Sequence, residues 1–269
     1  MGIKQRFLVV GGKRFKVYYL EIANIKTYKT NHKIVTDFSK AKLGDLKAIQ
    51  KYAFKMATMI KKKIDIEDIA LVANNPSAIR KNTAYCIAEE IAQIIDKPFK
   101  KILYLSKIPT NKYYTKMTVN EKKEVMKKTL YFKGPNIKGK NIILIDDCIT
   151  SGIILKSCIQ KLLDNGAKQI HCFVYLNVST TRNEDRYGKN ILLERGIKPI
   201  IKIIQDKHNP LVTRLIGAIF ELSTDEIIQI FNSLSGARKK ELLDTMLQKT
   251  KTRDSLKPKM KEILEGLKK

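Results

Sequence analysis

The stretch Asn141–Leu155, NIILIDDCITSGIIL, decides how the rest of the chain is read. Its apolar run Ile142–Ile145 is short enough for a strand buried on both faces. The run ends in two adjacent carboxylates, Asp146 and Asp147. Thr150, Ser151 and Gly152 follow, small residues that let a backbone turn tightly and present its N–H groups. Ile153 then opens an apolar series, continued by Leu155, Cys158, Ile159, Leu162 and Leu163, at the spacing of an amphipathic helix. Asn165-Gly166 stops it. The order is strand, acidic pair, small-residue loop, helix N-terminus. Such an order suits a phosphorylated sugar, because amides and the helix dipole hold a phosphate while carboxylates reach hydroxyls or a hard cation.

Two other readings of the same stretch compete. A hydrophobic strand ending in Asp-Asp also resembles a Walker B strand or the acidic pocket of a receiver domain. Just upstream, Gly134–Asn141 reads GPNIKGKN, with Asn141 where a Walker A loop needs Ser or Thr. That loop also follows a strand and opens a helix, whereas this segment leads into the strand at Ile142. A tight turn carrying Pro135-Asn136 and Gly139 is the better reading.

The bulk numbers set the frame. With 269 residues and 43% hydrophobic content, the chain can bury one substantial core plus an accessory segment. No apolar run reaches membrane-spanning length, and Phe7–Val10 is too short for a signal-peptide core, so no membrane association and a cytoplasmic location are expected. Gly2 is followed by Arg6 where a myristoylation motif wants Ser or Thr. Cys86, Cys148, Cys158 and Cys172 lack zinc-site spacing and read as reduced thiols. The 53 basic against 26 acidic residues give a formal charge of +27, which favours polyanions such as nucleic acid or small phosphorylated ligands. A composition rich in both Lys and Ile also fits plain solvated surface.

Outward from the central stretch the chain alternates. Lys4–Thr36 reads as two or three strands joined at Gly11-Gly12, and a helix follows with Leu46, Ile49, Ala53, Met56 and Ile60 on one face. Ile69–Ala73 reads as a buried strand, Asn74-Asn75-Pro76-Ser77 as a turn, and Ala84–Ile94 as a helix stopped by Asp96-Lys97-Pro98. Lys101–Leu105 is the next expected strand. Ser106–Asn120 is a polar interval, and Thr118 with Glu121 makes a capping box for a short basic helix. Leu130–Phe132 and Gln169–Leu176 read as strands. Past Ser179–Gly188, a polar loop, Pro199–Ile204 reads as one more strand, and Leu211–Leu222, Thr224–Leu234, Ala237–Leu247 and Lys259–Leu267 read as helices. His32, His171 and His208 are scattered and suggest neither a metal nor a nucleophile site. The pattern predicts an α/β fold with a mainly parallel sheet flanked by helices, an N-terminal β-rich segment and a C-terminal helical extension. Residues 1–205 would form the main domain, with 1–40 as a flanking β-rich segment, and 206–269 the basic extension. In such a sheet a ligand sits beyond the carboxyl ends of the strands, where Asn74–Ser77 and Asp146–Gly152 both fall.

Asp146-Asp147-Cys148-Ile149-Thr150-Ser151-Gly152 after a hydrophobic strand resembles the phosphoribosyl pyrophosphate signature of type I phosphoribosyltransferases. The resemblance implies that Asp146 and Asp147 bind the ribose hydroxyls and serve catalysis, directly or indirectly with Mg²⁺. It implies that Thr150, Ser151, Gly152, Ile153 and Ile154 wrap the ribose phosphate. The family often has Thr or Ser where this chain has Ile154, so one hydroxyl donor is missing. By the same resemblance Asn74, Asn75 and Ser77 form the pyrophosphate loop with Arg80 and Lys81 nearby, and Ser106–Asn120 is a mobile lid carrying Lys112 and Lys116. Hypoxanthine-type salvage enzymes place a further Asp where Thr150 stands, which leaves the acceptor of the phosphoribosyl group open. The layout from Ile69 onward is also similar to competence-associated phosphoribosyltransferase-like proteins, without their N-terminal paired cysteines. That likeness implies the alternative: a non-catalytic or sensing protein that binds single-stranded nucleic acid, through lysines and Tyr113 and Tyr114, or a protein partner. A homodimer closed by the C-terminal helices is a further expectation.

Overall fold

Ile142, Ile143, Leu144 and Ile145 are fully buried, and their side chains divide between two separate cores. Ile143 and Ile145 join one apolar cluster while Ile142 and Leu144 join the other. That is the period of two expected of a strand covered on both faces. The computed structural model describes residues 4–23, 32–76, 82–106, 117–178, 196–252 and 254–268. In it this segment is the nine-residue strand β6 (Asn141–Ile149). It lies between β3 (Ile69–Asn74) and β7 (Gln169–Val178), parallel to both. β2 (Lys13–Ala23) pairs parallel with β7, and β1 (Lys4–Val10) closes the edge antiparallel to β2. The sheet order is β1-β2-β7-β6-β3. The fold is therefore the expected one, a mostly parallel sheet between helices.

The helices supply the covering layers. α5 (Ile153–Asp164) turns Ile153, Leu155, Cys158, Ile159 and Leu162 onto the face that holds Leu144. The other face is covered by α2 (Leu46–Lys63) and α3 (Thr83–Ile94). α2 follows α1 (His32–Lys42) after a short turn. Asp45 caps α2 by accepting from the Ala48 amide, and three lysines finish it where the dipole favours cations. Between the strands, α4 (Val119–Thr129) starts with the anticipated capping box of Thr118 and Glu121.

Several expectations shift. The strand at the acidic pair does not stop at Ile145, because β6 keeps its pairing with β7 as far as Ile149. The third N-terminal strand is replaced, at least from His32 onward, by α1. The strand expected at Lys101–Leu105 splits. Pro98–Lys100 lies beside Val72 at the sheet edge, where Pro98 offers a carbonyl and needs no N–H. Leu103–Leu105 (β4) then pairs antiparallel with Leu130–Phe132 (β5) in a sheet of its own. Pro199–Ile204 is not a strand but part of α6 (Lys198–Gln205). Its β-branched run looked extended, yet Ile200, Ile203 and Ile204 are spaced for one helix face, and a proline is tolerated in a first turn.

After α6 come α7 (Thr213–Ile219), α8 (Thr224–Asn232), α9 (Gly236–Thr252) and α10 (Lys257–Gly266). Their buried residues, among them Leu215, Ile230, Leu242, Met246 and Ile263, belong to the same cluster as Ile49, Tyr52 and Ile87. Among the described residues no helix is long and apolar enough to cross a membrane. The four cysteines are free thiols, with Cys148 half-buried and the rest buried.

Candidate active site

Parallel pairing puts the ends of β3 and β6 side by side. Asn74 stands opposite Ile145, and the Asn75 amide donates to the Ile145 carbonyl at 2.8 Å. The Asn75 side chain then reaches Asp146, its Nδ2 lying 2.8 Å from Oδ2. The other Asp146 oxygen accepts the Asp147 backbone N–H at 2.8 Å. The turn after β3 and the acidic pair are thus one hydrogen-bonded unit at the carboxyl edge of the sheet. Asn74 is fully buried; its Nδ2 donates to the Asn75 carbonyl at 2.6 Å, while its Oδ1 has no partner among the described atoms.

As successive strand residues, Asp146 and Asp147 leave the sheet on opposite sides. Their partners follow that geometry. The Asp146 carboxylate lies close enough to Cys158 of α5 that burial, and then this charge, push the thiol well above its ordinary range. Asp147 faces α1 instead, where the Lys42 ammonium sits 2.5 Å from Oδ2 and 3.6 Å from Cys148 Sγ. Both acids are buried, at 5% and 7% exposure. Burial, and then the neighbouring Asp147 carboxylate, push the Asp146 pKa up to about 7 against the pull of the Asn75 amide and Lys42. For Lys42, burial acts to lower the pKa, but the Asp147 carboxylate and the Cys148 sulfur more than offset it, leaving the ammonium above its ordinary range.

Past the pair the chain turns into α5 through Gly152, which adopts φ 74° and serves as an N-cap that makes no side-chain cap bond of its own, while Ser151 Oγ accepts the Ile153 amide at a long 3.5 Å. A Cβ there would lie 3.0 Å from Leu8 of β1, so both the dihedral and the space call for glycine. Thr150 and Ser151 are exposed, Ile153 is buried and Ile154 is half-buried against the apolar cluster. Arg6 of β1 steadies this loop from outside, donating to the Thr150 carbonyl at 3.2 Å and to Asn177 Oδ1 at 3.0 Å. A helix start behind an exposed hydroxyl pair is built to receive an anion.

The sequence-derived residues therefore divide. Asn74, Asn75, Asp146, Asp147, Thr150, Ser151, Gly152, Ile153 and Ile154 come together along one edge. Ser77, Arg80, Lys81, Lys112 and Lys116, with Tyr113 and Tyr114, lie outside the described residues. Asn75 is committed to Asp146 and to the sheet, which makes it a positioning residue in place of a free donor for a pyrophosphate. Sequence reasoning missed Lys42 and Arg6. Neither lies in a motif, and only the tertiary fold brings them 105 and 144 residues along the chain to their partners.

Residues 79–208 match the family model of the phosphoribosyl transferase domain. Over that segment, which contains the acidic pair and the turn into α5, the chain is similar to the phosphoribosyl transferase domain. Among solved structures it is similar to a phosphoribosylpyrophosphate synthetase from Mycobacterium smegmatis, at 18% identity over 47% of this chain and 33% of that one, TM-score 0.32. It is similar to a hypoxanthine phosphoribosyltransferase from Staphylococcus aureus, at 15% identity over 50% and 68%, TM-score 0.32. A hypoxanthine-guanine phosphoribosyltransferase from Bacillus anthracis aligns at 19% identity over 53% and 76%, TM-score 0.36. The chain thus spans 33% of the length of the mycobacterial synthetase. No curated protein matches it in sequence.

Proposed function

We propose that the protein binds phosphoribosyl pyrophosphate, or a related ribose phosphate, and transfers the phosphoribosyl group to a nucleophilic acceptor. The observation that carries this reading is the placement of a helix N-terminus at Gly152, flanked by exposed Thr150 and Ser151, directly after a buried acidic pair. The ribose phosphate would rest on the amides from Thr150 to Ile154, with Ile154 offering only its backbone. In the reaction the bond from the anomeric carbon to pyrophosphate breaks and its electron pair leaves with pyrophosphate. A lone pair on the acceptor forms the new bond, and the acceptor gives up a proton. Positive charge gathers on the ribose between these events, and in this reading the carboxylates of Asp146 and Asp147 would stabilise it. Ser77, Arg80, Lys112 and Lys116 are the proposed surroundings of the departing pyrophosphate, and Asn74 and Asn75 would fix the start of the turn that leads to them.

The family resemblance brings Mg²⁺ with it, but the acidic pair is a poor fit to direct ligation. The two carboxylates do not project from the same side of the strand, both Asp146 oxygens accept N–H groups, and Asp147 Oδ2 holds an ammonium. A cation carried in on pyrophosphate oxygens is compatible with this arrangement.

The test is a thermal-shift titration with phosphoribosyl pyrophosphate, followed by pyrophosphate release across purine, pyrimidine and amine acceptors. A ligand-induced shift that Asp147→Asn abolishes, accompanied by turnover, supports the enzyme. The second reading, binding without transfer, is favoured by Ile154 and by the +27 charge. Its signature is a shift without turnover together with salt-sensitive binding of single-stranded DNA or RNA.

A further inference from the structure

We infer that Lys42 is the resident cation of the ribose site, so that a ribose phosphate binds there without a divalent metal on Asp147. The inference rests on the proposed ribose-phosphate reading and deepens it.

The contact is built from several directions. Lys42 ends α1, and its ammonium lies 2.5 Å from Asp147 Oδ2 with side-chain exposures of 19% and 9%. Its ammonium sits 5.3 Å from the centre of the Phe38 ring, one turn back on the same helix. Its backbone carbonyl faces the Thr83 hydroxyl of α3 at 3.5 Å. The following turn is pinned from the far end of the chain: a Cβ on Gly44 would meet the Pro210 carbonyl at 2.3 Å, and Asn209 Oδ1 accepts the Leu46 amide at 2.8 Å. A surface lysine that met a carboxylate by chance would not have its helix end locked this way. Nor would an exposed pair be so thoroughly removed from water.

The charge count makes the same point. A site of two bare carboxylates needs an added cation before it can accept a phosphorylated, anionic sugar. Here one of the two carboxylates, that of Asp147, is already paired with an ammonium that the chain supplies itself. A divalent ion approaching Asp147 would meet a fixed positive charge about one hydrogen bond away, and the two would compete for one carboxylate. A ribose hydroxyl has no such conflict, since it can donate to the carboxylate beside the ammonium.

The experiment uses ribose 5-phosphate, which lacks the pyrophosphate that would itself carry in a metal. The full-length chain is titrated in EDTA and again in excess Mg²⁺, with melting temperature and calorimetry as readouts. The expected result is an equal shift in both buffers for wild type. Lys42→Met should bind about tenfold more weakly in EDTA and recover when Mg²⁺ is added, which converts a metal-free site into a metal-requiring one. Lys42→Gln, which keeps a donor toward Asp147, guards against loss of folding in the Met variant, and Lys42→Arg should behave as wild type. In the same preparations without ligand, Mn²⁺ followed by electron paramagnetic resonance should bind to the Met and Gln variants and not to wild type. A wild-type shift that requires Mg²⁺, or variants that match wild type in EDTA, overturns the role of Lys42 while leaving the ribose site intact. No shift by ribose 5-phosphate or phosphoribosyl pyrophosphate in any buffer overturns the site and the inference together.

Discussion

At the scale of single residues, Asp146 and Gly152 make sharp predictions. Asp146 binds a proton more tightly in the fold than in the unfolded chain, because burial and Asp147 raise its pKa to about 7. Its contribution to stability is therefore fully present below the unfolded value near 4 and is lost as the pH rises through about 7. Against Asp146→Asn, wild type should lose stability more steeply between pH 5 and 8, by about 2 kcal/mol or more across that window in urea titrations. Parallel curves would show that the carboxyl is already ionised in the fold. Gly152→Ala should cost roughly 1–2 kcal/mol from the left-handed dihedral alone, and more if Leu8 cannot yield. It should also weaken ribose 5-phosphate binding, because the α5 amides shift with the turn. Ile154→Thr tests the missing donor from the other side: a restored hydroxyl should tighten binding by about tenfold in calorimetry, the worth of a hydrogen bond to a charged group.

At the scale of elements, the buried Arg238 ties the extension to the end of α6. Arg238 of α9 donates to the carbonyls of Ile204, Asp206 and Asn209 and pairs with Glu241 at 2.6 Å. Arg238→Ala strands three carbonyls at the end of α6 and should cost about 3 kcal/mol in denaturant unfolding, whereas Glu241→Ala, at an exposed partner, should cost under about 1 kcal/mol. Nothing in the sequence marks Arg238 among so many basic residues, since its role depends on carbonyls about 30 positions away. The elements that were legible carry their instructions locally. β6 is built on a short apolar run, α4 has a capping box contained in Thr118–Glu121, and the turn at Gly139 has a residue at φ 72°. Pro199–Ile204 shows the opposite case, because a six-residue segment with four isoleucines satisfies strand and helix spacing equally well and only the neighbours decide. The candidate site follows the same rule. The loop from Asp146 to Ile154 is contiguous and could be read, while its cation and its brace come from α1 and β1.

At the scale of the whole molecule, the extension and the site are mechanically joined. The buried residues of α7 to α10 share a core with α2 and α3 and do not close a core of their own. Asn209, only 6% exposed, accepts from the first amide of α2 and donates to the Ile203 carbonyl at 3.0 Å. The turn it pins holds Gly44, and two residues before Gly44 stands Lys42, the partner of Asp147. A boundary at residue 206 should therefore not separate two independent folds. A chain ending at Gln205 would expose Ile49, Tyr52 and Ile87 to water and should be recovered unfolded or aggregated. Asn209→Ala is the finer probe, because it leaves the core intact. It should cost about 1–3 kcal/mol in stability from two lost hydrogen bonds. It should also weaken ribose 5-phosphate binding at temperatures where the variant remains folded, since the end of α1 loses its anchor. A variant with lowered melting temperature and unchanged affinity would show that the extension supports the fold alone; lowered affinity at full folding would place the C-terminal helices behind the geometry of the acidic pair.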